Sequence, residues 1–416
     1  MPLEFELCPG RMIGGNHPCF IIAEIGQNHQ GDIEIAKKMI KMAKDCGSDC
    51  AKFQKSELDH KFNKKALERP YNSVHSWGKT YGDHKRHLEF SHEQYKELQK
   101  YADEVDIFFT ASGMDEMAVE FLHELNVPFF KVASADNSNF PYLKKTAKKG
   151  RPMVVSSGMQ NMETMRQVYK TVKEHNPNFT ILQCTSAYPL EAEDVNLRVL
   201  TEYQKEFPDI PIGYSGHESG IVISVAAVAM GAKVVERHVT LDKTWKGNDH
   251  EASVVPSELA ELVRSIRLVE RALGNGVKQM LPCEKPCHDK LGKSLVAKVK
   301  IPKGTVLTQD MLAVKLAELV RSIRLVERAL GNGVKQMLPC EKPCHDKLGK
   351  SLVAKVKIPK GTVLTQDMLA VKVAEPMGID AEDIFKMVGK KVKKDVEEDE
   401  SILPEVVEGY CKKRKC

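Results

Sequence analysis

Long apolar runs are missing from this chain. One uncharged stretch, Ile221 to Ala232, stands out as apolar, but it is too short to cross a membrane. Aromatic residues are sparse, 6% of 416 residues, and nowhere interleave with a basic stripe, so nothing points to nucleic acid as a partner. Neither sign of charge dominates: 62 basic and 57 acidic residues leave a net charge of +5, which suits small anionic substrates. The stretch MPLEFELCPGRMIGG carries acidic residues and no basic region leading into an apolar core, so a secretory signal is not expected. The eleven cysteines are odd in number and scattered, in a chain too long to need covalent staples. They read as free thiols in a reducing cytoplasm. What is present, 42% hydrophobic and 29% charged residues, describes a soluble globular protein of two or three domains.

Residues 259–315 and 316–372 are identical at every position, 57 residues each. Structural repeats come as several diverged copies, so a single perfect copy reads as a segmental duplication. It creates an apparent metal motif, Cys283, Cys287 and His288 followed by Cys340, Cys344 and His345. Copying of one linker accounts for that spacing, and no zinc site is expected from it.

Through residue 274 the sequence alternates strand and helix signals. FIIAEIG, SDCAKFQ, DIFFTAS, FFKVAS, PMVVSSG, FTILQCTS, PIGYSGH and VVERHVT are strand candidates, each followed by a helical pattern; the last helix is SELAELVRSIRLVERALG. Asp32 is placed to cap the first helix and Gly47 to end it. Eight such units predict a closed (β/α)8 TIM barrel over residues 1–274. An open doubly wound sheet is disfavoured, because no glycine-rich dinucleotide turn follows the first strand. Polar residues collect at the C-terminal strand ends: Glu24, Lys52 and Gln54, Ser112, Lys131 and Ser134, Ser156 and Ser157, Ser186, Ser215 and His217, Glu236 and His238. Any one of these serines reads as a turn residue, but all eight ends carrying such groups point to an active-site rim. Lysines and hydroxyls suit a phosphate, and His217 with His238 suit a metal that polarises a carbonyl. A long polar excursion from Lys55 to Ser91 reads as a functional or disordered loop. Residues 275–348 form a linker plus the duplicated segment. A β pattern over residues 349–410, with a half-motif repeated at an offset of 40, predicts a second small domain that leans on a neighbour.

The blocks FIIAEIGQNHQGD, AKFQK, SWGKTYGDHK, TASGMDE, SSGM, QCTSAYP, GYSGH, ERHVTLDK and GNDH resemble the sialic acid synthases, in the same order and over essentially the whole chain once one duplicate is removed. The tail resembles the antifreeze-like (SAF) domain of those enzymes. The resemblance implies condensation of phosphoenolpyruvate with N-acetylmannosamine 6-phosphate to N-acetylneuraminate 9-phosphate and phosphate, in a cytoplasmic homodimer whose small domain caps the partner's barrel. It implies that His217 and His238 hold Mn2+ or Mg2+, that Glu24 is the acid/base carboxylate, and that Asp136 stands near the water attack. Lys52, Lys131, Ser134, Ser156, Ser186 and Ser215 match phosphoenolpyruvate-binding positions, and Gln54, Tyr188 and Asp249 match sugar contacts.

Three departures from the family pattern carry expectations of their own. Ala133 and Ala135 replace glycines and would strain the loop if φ were positive there. Glu251 replaces a serine and would add negative charge beside the sugar. Val373 stands where bacterial relatives carry an arginine, so Lys79, Lys85 or Arg86 is expected to read the sugar phosphate instead. These departures and the duplication motivate an alternative, a catalytically impaired barrel retained as a binding protein. A Schiff-base aldolase is a weaker reading, because Lys52 and Lys131 keep company with hydroxyls and a carboxylate.

Overall fold

The computed structural model describes residues 3–291, 300, 303–306 and 334–410. Eight parallel strands close into a barrel. In chain order, after a leading hairpin of β1 (Glu4–Cys8) and β2 (Arg11–Gly14), they are β3 (Phe20–Gly26), β4 (Cys50–Lys55), β5 (Phe108–Gly113), β6 (Phe130–Val132), β7 (Met153–Ser156), β8 (Phe179–Cys184), β9 (Ile212–Gly216) and β10 (Val234–His238). β10 pairs back onto β3, with His238 opposite Glu24. All eight predicted strands are present.

Strand period organises the lumen. Successive side chains point to opposite faces. One set, Ile21, Ala23, Ile25, Ala51, Phe53, Val155, Ile181 and Val235, packs outward against the helices. The alternate set points inward. Its members near the strand starts, Phe20, Ile22, Cys50, Phe129, Val154, Leu182 and Val234, are apolar and pack on Phe5, Leu7, Cys8 and Ile13 of the hairpin. The hairpin plugs the lower end of the barrel, a role not read from its sequence. Further along the same inward columns come Glu24, Lys52, Lys131, Ser156 and Glu236. The helix Pro256–Leu273 closes the ring by burying Leu259, Leu262, Val263 and Ile266, a spacing of three and four residues.

The Lys55–Ser91 excursion is folded rather than loose. It contains short helices at Leu58–Lys61 and Lys64–Glu68 and a helix at Tyr81–Leu88 closed by a Thr80/Asp83 capping box. It is also the seat of the small domain. That domain contains an antiparallel pair, β11 (Ser351–Ala354) and β12 (Leu369–Lys372), over a core that includes Leu352, Ile358, Ile379, Val392 and Ile402. Val373 donates its N–H to the Lys61 carbonyl at 2.8 Å and accepts from Asn63 N–H at 3.0 Å. Phe62, Tyr81 and Val373 share one apolar cluster. The small domain therefore sits on the mouth of the barrel in the same chain. The duplication also leaves over strand candidates near Gly292–Leu312 and an amphipathic helix candidate, Leu316–Gly331, with no slot in the barrel; these lie outside the described residues, save for residues 300 and 303–306. Among the described residues, no helix is long and apolar enough to cross a membrane.

Candidate active site

At the mouth lies a cavity of about 500 Å³. The thirteen residues that the family resemblance assigns to catalysis, metal or substrate all line it: Glu24, Asp136, His217, His238, Lys52, Gln54, Lys131, Ser134, Ser156, Ser186, Tyr188, Ser215 and Asp249. Its floor is a buried charge cluster. Lys52 Nζ is 2.5 Å from Glu24 Oε2 and 3.6 Å from Glu236 Oε2, while Lys131 Nζ is 3.3 Å from Glu236 Oε1. Hydroxyls complete these shells: Lys52 donates to Ser112 Oγ at 3.0 Å and Lys131 to Ser156 Oγ at 2.9 Å. Ser215 Oγ donates to Glu236 at 3.2 Å. Two cations against two carboxylates make the floor neutral, which is what burial this deep demands.

The two carboxylates are driven apart. Burial pushes the Glu24 carboxyl up in spite of Lys52. Burial would also raise Glu236, but Lys131 and Lys52 reverse this and hold it at about 2. Glu24 is thus the group that takes a proton more readily and Glu236 the fixed anion, the separation that acid/base chemistry uses. Gln54 Nε2 donates to Glu24 Oε1 at 3.0 Å and orients it.

His217 and His238 face each other with ring centroids 5.5 Å apart, and Tyr188 packs 4.1 Å from the His217 ring. His217 Nδ1 lies 2.8 Å from the Thr185 carbonyl. A carbonyl only accepts, so Nδ1 carries a proton and Nε2 is the nitrogen left to face the cavity. Burial lowers His238 to about 4, against the pull of Asp249, so its ring is neutral at physiological pH. Among the described residues its buried Nδ1 has no hydrogen-bond partner. Two imidazoles, His217 oriented by a backbone carbonyl, with burial's downward pull on its pKa outweighed by the neighbouring Cys184 thiol, and His238 neutral with an orphaned nitrogen, fit a divalent cation completed by oxygen ligands. Among the described residues no group of three or more His, Cys, Asp or Glu side chains forms a fuller site.

Beside the floor, Ser134 Oγ accepts from Gly158 N–H at 3.0 Å. A Cβ on Gly158 would lie 2.1 Å from Ser186 Oγ and 2.7 Å from Ser134 Oγ, so the backbone must stay bare there. Ala133 and Ala135 are not among the residues with positive φ, and the strain expected of them is absent. Glu251 is exposed and does not line the cavity, so its charge is not beside the sugar position. Asp136 lines the cavity, but its carboxylate is engaged at 2.5 Å by Lys350 of the small domain, both side chains being 1% exposed.

The outer half of the cavity is cationic. Of the three residues expected to read a sugar phosphate, Lys85 lines it; Lys79 is exposed on the surface and Arg86 pairs with Asp83 outside it. Two lysines not anticipated stand with Lys85. Lys61 is buried, contacting Ser56 Oγ at 3.2 Å. Lys347 donates to Tyr71 Oη at 3.2 Å, and its ammonium and that of Lys85 lie 5.4 and 5.6 Å from the Tyr81 ring centroid. None of the three has a carboxylate within ion-pair distance among the described residues. Burial lowers Lys61 to about 7 and Lys85 to about 8, each assisted by a neighbouring lysine. Lys61 carried no signal in the sequence, since its role depends on a helix inside the excursion; Lys347 was hidden in the duplicate.

The second copy of the duplicated segment forms a strap over the mouth. Lys335 Nζ donates to the Cys184 carbonyl at 2.8 Å. Glu341, fully buried, accepts from Met159 N–H at 2.8 Å and Ser186 N–H at 2.9 Å.

A NeuB family model matches residues 39–278 and an SAF domain model residues 349–408. The chain is 66% identical to the human N-acetylneuraminate-9-phosphate synthase, covering all of both chains. It is 45% identical to the Drosophila melanogaster N-acetylneuraminate-9-phosphate synthase, over 92% of this chain and 94% of that one. Among solved structures, the N-acetylneuraminic acid synthetase of Leptospira borgpetersenii is 30% identical with a TM-score of 0.59, covering 70% of this chain and 98% of that one. The Bacillus subtilis spore coat polysaccharide biosynthesis protein SpsE, at 24% identity and a TM-score of 0.72, shares the fold over 99% of this chain and 100% of that one. A barrel whose strand ends carry the paired histidines and neutralised lysines, continued by a small domain that covers them, is thus matched along its whole length, and the chain belongs to the NeuB family.

Proposed function

We propose that this chain condenses phosphoenolpyruvate with N-acetylmannosamine 6-phosphate, giving N-acetylneuraminate 9-phosphate and inorganic phosphate. The observation that carries this reading is the division of lysines within one cavity. Lys52 and Lys131 sit at the neutralised floor among hydroxyls, while Lys61, Lys85 and Lys347, nearer the small domain, have no carboxylate within ion-pair distance among the described residues. Two anionic groups at two depths are what the two substrates supply.

Phosphoenolpyruvate is held at the floor by Lys52, Lys131, Ser134, Ser156, Ser186 and Ser215. The sugar lies above it against Gln54, Tyr188 and Asp249, its phosphate toward the outer lysines. Carbon 3 of the enol forms a bond to the aldehyde carbon, whose oxygen takes a proton. Water then adds to carbon 2, and the bond from carbon 2 to the phosphate oxygen breaks, releasing phosphate. Glu24, the more basic carboxylate, is placed to hydrogen-bond the sugar and to supply or take that proton. Lys52 and Lys131 stabilise charge developing on the phosphate, in a mouth from which the strap excludes water. His217 and His238 would hold a manganese or magnesium ion, which when bound polarises the aldehyde carbonyl. Asp136 is read as the anchor for Lys350, keeping the small domain over the site.

The impaired-barrel reading loses two of its grounds, because the alanine loop is unstrained and Glu251 lies outside the cavity lining. A cytoplasmic setting rests on the scattered free thiols, and a homodimer on the resemblance to the family. The test is phosphate release from phosphoenolpyruvate, expected only when both the divalent metal and the sugar phosphate are present. Release without the sugar, or none with both, overturns the proposal.

A further inference from the structure

The two copies of the 57-residue segment have one sequence and two fates. In the second copy, Lys335 and Glu341 are buried on the barrel mouth. Their identical counterparts in the first copy, Lys278 and Glu284, are exposed, as is every residue from Arg271 to His288. Val277, Met280 and Leu281 are 64%, 59% and 48% exposed.

Chain reach explains the difference. The helix Pro256–Leu273 starts at the mouth, just after Val254, which donates its N–H to the His238 carbonyl. It ends at the opposite rim, where Glu270 accepts from the Cys19 N–H just before β3. Its 18 residues make it about 27 Å long. From Gly274 to Lys278 the extended chain covers at most about 14 Å. The first copy therefore starts at the wrong end of the barrel, and its lysine cannot climb back to the Cys184 carbonyl of its own mouth. A chain with a single copy faces the same limit and can seat its strap only on another molecule. The second copy begins 57 residues later and reaches.

We propose that the duplication changes closure of this active site from an event between two chains into one within a chain. The strap contributes Cys340, Cys344 and Lys347 to the cavity, so the site is incomplete without it. Closure within a chain proceeds at a fixed effective concentration and does not weaken on dilution.

The experiment unfolds unlabelled and 15N-labelled full-length protein together in equal amounts, refolds the mixture so that any pairing between chains is scrambled, and joins Lys64 to Lys372 with a lysine-reactive linker. Both lysines pack on Asp399: Lys64 through its N–H at 3.0 Å and Lys372 through its ammonium at 2.8 Å. Cross-linked peptides of one isotope only are expected; peptides of mixed isotope overturn the proposal. The same mixture of a chain lacking residues 316–372, in which Lys315 takes the place of Lys372 before Val373, is expected to give mixed peptides, and its specific activity to fall at least tenfold between micromolar and nanomolar protein while the full chain's stays constant. Equal dilution dependence in the two chains overturns it. Should the shortened chain fail to fold, the full-length isotope result decides alone. The activity arm rests on the proposed reaction, but the isotope arm does not, so the two can fail separately.

Discussion

Removing the outer lysines tests the division of the cavity most directly. Methionine at position 61, 85 or 347 keeps an unbranched apolar side chain of similar length and deletes the charge. A hydrogen bond to a charged group contributes about 1.5–3 kcal/mol. At about 1.4 kcal/mol per factor of ten, each single substitution is expected to raise KM for N-acetylmannosamine 6-phosphate by roughly 10- to 100-fold. The triple substitution should cost less than the sum, since three cations share one dianion and their effects are coupled. KM for phosphoenolpyruvate should hold, because its lysines are separately neutralised by Glu24 and Glu236. Protonation adds a second signature. Lys61 and Lys85 are held at about 7 and about 8 by burial and neighbouring lysines. Lowered values mean that the cationic form is lost earlier as pH rises. KM for the sugar phosphate should therefore climb between pH 7 and 9 in the native protein and flatten in Lys61→Met/Lys85→Met. Steady-state kinetics with each substrate varied in turn reads all of this. An unchanged KM for the sugar phosphate, or an equal rise for phosphoenolpyruvate, would refute the reasoning.

Other consequences follow from the packing. Lys350→Met strands the buried Asp136 carboxylate and should destabilise the fold by about 3–5 kcal/mol in urea, most of it recovered in Lys350→Met/Asp136→Asn. Leu7→Ala empties a fully buried position in the barrel plug. It should cost about 2–5 kcal/mol, seen as a lower Tm, without changing KM at temperatures where the protein stays folded. His217→Asn and His238→Asn should each abolish saturable binding of manganese by titration calorimetry, while circular dichroism stays native.

Much of the active site was legible because it follows from local rules. A strand's period of two puts Phe20, Ile22 and Glu24 in one inward column, and the same holds for Val234, Glu236 and His238. Parallel strands buried on both faces leave polar groups at their ends, so the chemistry gathers at one rim. That made the barrel and the polar rim readable, whereas Asp136, Tyr188 and Asp249, which also line the cavity, were marked only by the resemblance to the family. The hairpin of β1 and β2 was not, because a plug is defined by the barrel it fills. Lys61 was missed because its helix exists only within the seat for the small domain.

The sequence by itself determined the strand and helix order, the inward columns and the polar rim, since each depends on residues close together in the chain. It could not assign different places to two identical segments. Tertiary structure decided that: only the position of each copy relative to the two ends of the barrel makes Glu341 a buried latch on Met159 and Ser186 while Glu284 stays in water. It also decided which lysines carry a compensating carboxylate, because Lys52 and Lys131 meet Glu24 and Glu236 only when strands far apart in the chain close into one barrel.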